Sequence, residues 1–263
     1  MDDKVVKTEV HPIELDEDLS LYSFIGQKRA VSILRAFANQ YLNDKMEGRN
    51  PQLPAIQIRG YPQSGKRTLS LAFANSIFGC PVIEYGIGKT LSFGWDNIQN
   101  YIQNGTSSSV FYIDGAEELT NYVQTVLYKL LREQILYIPI RDEQKFEKIK
   151  FSIKPLIIFS ISPDSWLIPE LRDVINLEIE MERYTEFELL HILEQRCKYL
   201  GWSAKKNILR YIVLKGDASR VGKIIKILEM TYKIARADNR DTLEMKDAER
   251  AVELLVKKKS KGE

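Results

Sequence analysis

The run Gly60-Tyr61-Pro62-Gln63-Ser64-Gly65-Lys66-Arg67-Thr68 spaces two glycines and a lysine as a phosphate-binding loop does. In such a loop, backbone N–H groups and a helix N-terminus cradle the phosphates. The lysine reaches the terminal phosphates and the next hydroxyl holds Mg²⁺. Here Arg67 occupies the hydroxyl position and Thr68 offers a hydroxyl one residue later. A guanidinium only donates hydrogen bonds. Arg67 therefore either sets fixed positive charge beside the phosphates or is a solvated first-turn helix residue that deletes the metal site. The second chemical feature is the apolar run from Ser109 through Val110, Phe111, Tyr112 and Ile113 to Asp114. A carboxylate ending such a strand lies beside the phosphate loop and helps hold Mg²⁺.

The elements needed to position these groups follow in the right order. Ala55 to Arg59 reads as a short buried strand running into Gly60, and from Lys66 no helix breaker appears until Gly79. The competing reading, a Gly/Pro/Ser surface turn with a stray lysine, leaves the strand before it and the helix after it unexplained. Asp114-Gly115 could also mark a hairpin turn. Against that, Leu119, Val123, Val126, Leu127, Leu130 and Leu131 keep one apolar helical face immediately afterwards.

Around this centre, residues 1–20 read as a polar, acidic arm, and Val31, Leu34, Phe37, Ala38 and Tyr41 define an early helix. Further strands are expected at 81–85, 156–161 and 177–181, with a helix near 95–103. Two alternating runs, 135–140 and 151–153, predict a β-hairpin with the charged stretch 141–150 as its solvated tip. From Tyr184 onward the pattern is helical only. Thr185 and Glu188 form a capping box for a helix to about Leu200, Ser203 and Ser219 are candidate caps for the next two, and the last helix runs from about Met245 to Lys257. The expected fold class is α/β: a mainly parallel sheet domain over 21–183 with an insertion at about 135–153, then a small all-α domain over 184–257 and a basic tail at 258–263.

Composition excludes several classes of function. With 263 residues, 44% apolar and 28% charged, the chain can bury an α/β core without staples. Cys80 and Cys197 show no metal-ligand or redox spacing. No apolar run reaches the roughly 20 residues of a membrane span and no signal-peptide core opens the chain, so the expectation is a cytoplasmic protein. A net charge of +2 rules out polyanion binding by bulk electrostatics, so any DNA contact is local or indirect. The basic clusters at Lys205-Lys206, between Lys215 and Lys226, and at Lys257 to Lys261 read first as solvated faces and a terminus.

Taken together, these residues resemble the AAA+ ATPases and, among them, the RuvB-type Holliday-junction branch-migration motors, over about Leu21 to Leu255. Phe24-Ile25-Gly26-Gln27 resembles the segment bordering the adenine. The hairpin at 135–153 matches the position of the family's projecting β-hairpin, which docks a partner protein. Pro169-Glu170-Leu171-Arg172-Asp173 resembles the family's Pro-Leu-Arg-Asp-Arg-Phe segment. Arg183-Tyr184-Thr185 resembles the entry to the lid domain, and Gly216 to Arg220 the sensor 2 segment, whose arginine closes over the phosphates. The resemblance thus implies an AAA+ P-loop NTPase domain with an all-α lid, binding ATP or ADP. Phe24, Ile25, Gly60, Gln63, Ser64, Gly65, Lys66, Arg67, Thr68, Tyr184 and Arg220 would hold the nucleotide. Thr68 and Asp114 would bind Mg²⁺, and Asp114 and Arg172 would be catalytic. It also implies assembly with like or unlike AAA+ subunits, a protein partner at the hairpin, and no membrane.

The departures are specific. Gly115 stands where hydrolysing members carry the glutamate that orients water, and Val174 replaces the second arginine, leaving Arg172 as the candidate finger acting on a neighbour's nucleotide. Ser160, Ser162 and Asp164 lie around sensor 1 without a clear counterpart, and the sequence stops where the family's winged-helix domain begins. A positioned base contributes about 10²–10⁴ in rate and an arginine finger about 10³–10⁵. The preferred expectation is a RuvB-like subunit in DNA recombination, repair or replication that binds ATP and hydrolyses it weakly or not at all. The alternatives are an active branch-migration motor and a clamp-loader-like or pure interaction module without nucleotide.

Overall fold

The computed structural model describes residues 19–49, 55–78, 82–86, 110–139, 146–150 and 156–255. They fall into two compact units. The first holds residues through Phe24, Ala30–Arg59 and Arg67–Glu180; the second holds Ile25–Arg29, Gly60–Lys66 and the chain from Met181.

In chain order the first unit's elements are α1 (Lys28–Met46), β1 (Ile56–Arg59), α2 (Lys66–Phe78), β2 (Val82–Gly86), β3 (Val110–Asp114), α3 (Asn121–Glu133), β4 (Ile135–Pro139), β5 (Phe146–Lys150), β6 (Leu156–Ile161), α4 (Pro169–Asp173) and β7 (Leu177–Glu180). Both α1 and α2 begin on residues of the second unit. Five strands form one sheet in the order β2-β3-β6-β1-β7, and every pairing in it is parallel. This is the α/β architecture expected. All six residues of β6 are buried, as a parallel strand covered on both faces requires. Because the strands are parallel, Arg59, Asp114 and Ile161 all lie at the C-terminal end of the sheet's strands. The packed face joins Phe111, Ile113 and Phe159 to Leu127 and Leu130 of α3 and Leu171 of α4.

The hairpin departs from expectation in detail. Its second strand is Phe146–Lys150, inside the stretch read as a solvated tip, and pairs antiparallel with β4 in the register Leu136↔Ile149. A two-stranded ribbon is held by its backbone ladder, so charge within a strand argues little against it. The expected second run at 151–153 and the helix near 95–103 lie outside the described residues.

The second unit's helices are α5 (Glu186–Leu200), α6 (Lys206–Lys215), α7 (Val221–Ala237) and α8 (Met245–Leu255). They close over a core that includes Leu193, Ile212, Ile224, Ile227 and Ala251. The capping box forms as expected: the Glu188 N–H donates to Thr185 Oγ1 at 3.2 Å, and the Thr185 N–H donates to Glu188 Oε2 at 2.8 Å. The other two expected caps do not form. Ser203 lies in an isolated parallel bridge to Thr242, and Lys205 precedes α6 with no side-chain cap. Ser219 gives its hydroxyl proton to Asp217 Oδ1 at 2.6 Å, so the chain enters α7 through an Asp217 turn rather than a serine cap. Among the described residues no helix is long and apolar enough to cross a membrane.

Candidate nucleotide-binding site

The glycine loop is built into the second unit. After β1, the chain turns through an N–H of Ser64 bonded to the Tyr61 carbonyl at 3.2 Å, with Gln63 and Gly65 at φ 66° and 96°. Positive φ at the non-glycine Gln63 is uncommon, and it is held from outside the loop: the Gly222 N–H, in the first turn of α7, donates to the Gln63 carbonyl at 3.0 Å. Gly222 is a close-approach residue, since a β-carbon there would stand 3.0 Å from Gln63 Cβ. At Gly60 a β-carbon would meet Met181 Cβ at 2.7 Å. The loop is therefore gripped by the helical part of the same unit.

Tyr184 is the centre of that grip. It is buried, and a β-carbon on Gly65 would stand 3.0 Å from its hydroxyl, while one on Gly26 would stand 2.7 Å from its ring. Burial pushes the Tyr184 phenol up to about 12, so it is a neutral donor at physiological pH. Beside it, Gln27 is buried with both ends of its amide paired to residue 182. Its Nε2 donates to the Glu182 carbonyl, and its Oε1 accepts the Glu182 N–H, each at 2.8 Å.

The chemical groups of the loop are Ser64 and Lys66. Lys66 is buried, and its ammonium donates to the carbonyls of Gly60 at 2.6 Å and Tyr61 at 3.1 Å. The buried Ser64 hydroxyl has no hydrogen-bond partner among the described residues. No acidic residue stands in the first turn of α2. Arg220, the residue before α7, is exposed and pairs with Asp217 across 3.6 Å. The Ser219 hydroxyl and N–H, followed by Arg220 and Lys223, hold the Asp217 carboxyl below its usual range.

Asp114 belongs to the first unit. Its Oδ1 accepts hydroxyl protons from Ser160 at 2.8 Å and Tyr112 at 3.1 Å. The β3–β6 register sets Ser160 directly beside Asp114. Gly115 is left-handed at φ 65° and opens the 3-10 turn Ala116–Glu118, with Glu118 Cδ 3.7 Å from the place of a β-carbon on Gly115. Glu117 accepts the Ser162 N–H at 2.9 Å.

Other expected residues have different surroundings. Arg172 lies over the ring of Trp166, 5.3 Å from its centroid, and Val174 is half-buried against the core. Phe24 and Ile25 are half-buried, and the aromatic ring against Gly26 is that of Tyr184. Arg67 and Thr68 are exposed.

The residues fit a phosphate: a glycine loop leading into the N-terminus of α2, an orphan hydroxyl and a buried ammonium. The fit to Mg²⁺ is poor. The residue after Lys66 offers no acceptor, and one step along a helix turns the Thr68 hydroxyl about 100° away from that position. The sequence placed Gln27 in the segment bordering the adenine and Ser160 around sensor 1 without showing the partner of either, and it gave no role to Gly222, whose signal is a glycine where a helix starts and no turn needs one.

No family model matches the chain. It is 27% identical over 183 residues to the Holliday junction branch migration complex subunit RuvB of Neorickettsia sennetsu, covering 69% of this chain and 53% of that protein. To the subunit of the same name from Staphylococcus saprophyticus it is 28% identical over 209 residues, covering 77% of this chain and 60% of the relative. The chain thus spans little more than half the length of these curated relatives. Among solved structures, the RuvB Holliday junction branch migration motor of Thermotoga maritima superposes with a TM-score of 0.69 at 18% identity, over 91% of this chain and 72% of that one. The chain is thus similar in sequence to these RuvB subunits and shares the fold of the solved RuvB structure.

Proposed function

We propose that this chain is a nucleotide-binding RuvB-like subunit of an assembly acting in DNA recombination, repair or replication, and that it holds ATP or ADP while hydrolysing ATP weakly or not at all. Its role there is structural or regulatory, alongside AAA+ subunits of the same or another kind, in the cytoplasm. The observation that carries the reading is the contrast between an intact phosphate cradle and altered hydrolytic positions. The loop keeps Lys66, the unpartnered Ser64 hydroxyl and its clamp to Gly222. Gly115 offers no side chain where relatives of this class orient water, and Arg67 no oxygen where they hold the metal.

Each residue then has a role in binding. The backbone N–H groups of 63–66 and the N-terminus of α2 receive the phosphates. The Lys66 ammonium exchanges two neutral carbonyl acceptors for a charged phosphate oxygen, a stronger partner. Arg220 closes from the start of α7, and Arg67 supplies positive charge in place of the metal. ATP itself would supply the polyphosphate and the free energy of its hydrolysis; the chain's residues bind and orient it. The hairpin β4–β5 is the proposed contact for a protein partner, and DNA is reached through the assembly.

The test is an equilibrium titration of the full chain with a fluorescent ATP analogue, with and without Mg²⁺, beside a phosphate-release assay. The expected result is saturable binding that depends little on Mg²⁺, lost in Lys66→Ala, with turnover far below about 1 s⁻¹. No binding at millimolar nucleotide would overturn the reading in favour of a pure interaction module. Mg²⁺-dependent turnover near about 1 s⁻¹ would favour an active motor instead.

A further inference from the structure

Arg172 is a cation with unusual company. Among the described residues its buried Nε has no hydrogen-bond partner, and the guanidinium lies over the ring of Trp166, with Cζ 5.3 Å from the centroid. Trp166 is 62% exposed, so the ring and the cation over it are open to a group arriving from solvent. A second guanidinium also lies over the ring. Arg59, at the end of β1, places Cζ 4.3 Å from the same centroid. Its Nη1 donates to the carbonyls of Pro163 at 2.7 Å and Ser165 at 2.8 Å, in the loop that carries Trp166. Pro169 then starts α4 with its fixed φ, setting Arg172 one turn later.

A buried donor left without an acceptor costs free energy, and a stacked guanidinium has lost much of its rotamer freedom in advance. Both features suit a group whose partner is an anion arriving from outside the chain. We propose that Trp166 is a positioning residue, held by Arg59, that stacks Arg172 in place to receive the polyphosphate of a nucleotide carried by a neighbouring AAA+ subunit. The proposal rests on the reading of the chain as a member of an AAA+ assembly. What it adds is the Arg59–Trp166–Arg172 stack, which neither the spacing of the motifs nor the resemblance contains.

The experiment follows the Arg172 side chain directly. In ¹⁵N-labelled full chain carrying Lys66→Ala, the Nε–Hε resonance of Arg172, assigned by its loss in Arg172→Lys, is titrated with tripolyphosphate. Trp166 is expected to shift this resonance by its ring current. Trp166→Ala should remove that shift and weaken tripolyphosphate binding at Arg172 about threefold to tenfold, the worth of one stacked and preordered cation. Trp166→Phe should restore most of both. Unlabelled chain with Lys66 intact and loaded with ATP is then added to the labelled chain. A shift that appears only in this mixture identifies the neighbour's nucleotide as the source. If Trp166→Ala binds tripolyphosphate as tightly as the parent, the positioning role is overturned, and so it is if no polyphosphate ever moves the Arg172 signal. If free polyphosphate moves the signal with the expected dependence on Trp166 but the ATP-loaded chain does not, self-assembly fails. The stack then stands as the anion-receiving group, with its source outside this chain's own oligomer.

Discussion

Gly65→Ala tests the grip on the phosphate loop. At φ 96° this residue sits where only glycine is comfortable, and an added β-carbon would stand 3.0 Å from the Tyr184 hydroxyl. The backbone strain costs about 1–2 kcal/mol. The contact adds about 1 kcal/mol, because the Tyr184 ring cannot retreat. It is 5% exposed, and its Cδ1–Cε1 edge lies against Gly26, where a β-carbon would find it at 2.7 Å. The total is about 2–3 kcal/mol, most of it independent of any ligand. Tyr184→Phe removes only the oxygen that the new methyl group meets. Gly65→Ala should therefore cost about 1 kcal/mol less in the Tyr184→Phe background, a coupling that a double-mutant cycle resolves. The assay is urea unfolding of the four proteins, followed by the fluorescence of Trp202, which stacks on Tyr232 within the same unit at 4.1 Å between centroids. Nucleotide affinity should fall in parallel. An identical cost of Gly65→Ala in both backgrounds would refute Tyr184 as the wall behind the loop, and no cost at all would refute the strain.

Asp247 is 1% exposed and takes two hydrogen bonds from Arg240, at 2.7 and 2.8 Å, and one from the Glu244 N–H at 2.9 Å. The Arg240 guanidinium, first among these, holds its carboxyl below the usual range. Its stabilisation is therefore present above the unfolded value of about 3.9 and is lost as pH falls through the folded one. Asp247→Asn should cost about 2–4 kcal/mol at neutral pH and flatten the acid limb of a melting-temperature profile; an unchanged limb would refute the assignment. Gln57 is buried in β1 with neither amide atom partnered among the described residues, so Gln57→Met should raise the urea midpoint by the equivalent of about 1 kcal/mol. A lower midpoint would show that the amide is satisfied. Gly115→Glu combined with Arg67→Thr should restore hydrolysis only when an active AAA+ neighbour supplies an arginine. It should also cost about 1–2 kcal/mol for the left-handed backbone at φ 65°; robust turnover by the double variant alone would show that Arg172 or another residue of this chain suffices.

What could be read in advance depended on how local the physics was. The loop, its feeding strand and its helix were legible because backbone direction changes at glycine and apolar periodicity are written in consecutive residues. The Thr185–Glu188 box was legible for the same reason. Contacts closed by tertiary packing were not. The Gly222 to Gln63 hydrogen bond joins residues whose types give no hint of one another. Ser160 meets Asp114 only because β6 pairs with β3 in one particular register. Ser219 looked like a helix cap, but the competing acceptor, Asp217, lies two residues away and takes its proton. The strand Phe146–Lys150 was hidden by its charges, since a paired ribbon needs no buried face to form.

The division of the chain gives the proposed separation of binding from turnover a physical basis. Gly60 to Lys66, Tyr184, Arg220 and Gly222 all belong to one unit; Arg67, Asp114, Gly115, Arg172 and Val174 belong to the other. None of the contacts that shape the loop, Gln63 with Gly222, Gly65 with Tyr184, or Gln27 with Glu182, involves an altered position. Groups that act only in the transition state change rate without changing ground-state affinity. Losing a base worth about 10²–10⁴ therefore need not weaken the hold on ATP, so long as the cradle and its clamp persist. Changes at Gly222 or Tyr184 should do the opposite on this reading. They remove no catalytic group, yet they release Gln63 and Gly65 from the backbone conformations that aim the loop's N–H groups, so affinity should fall first.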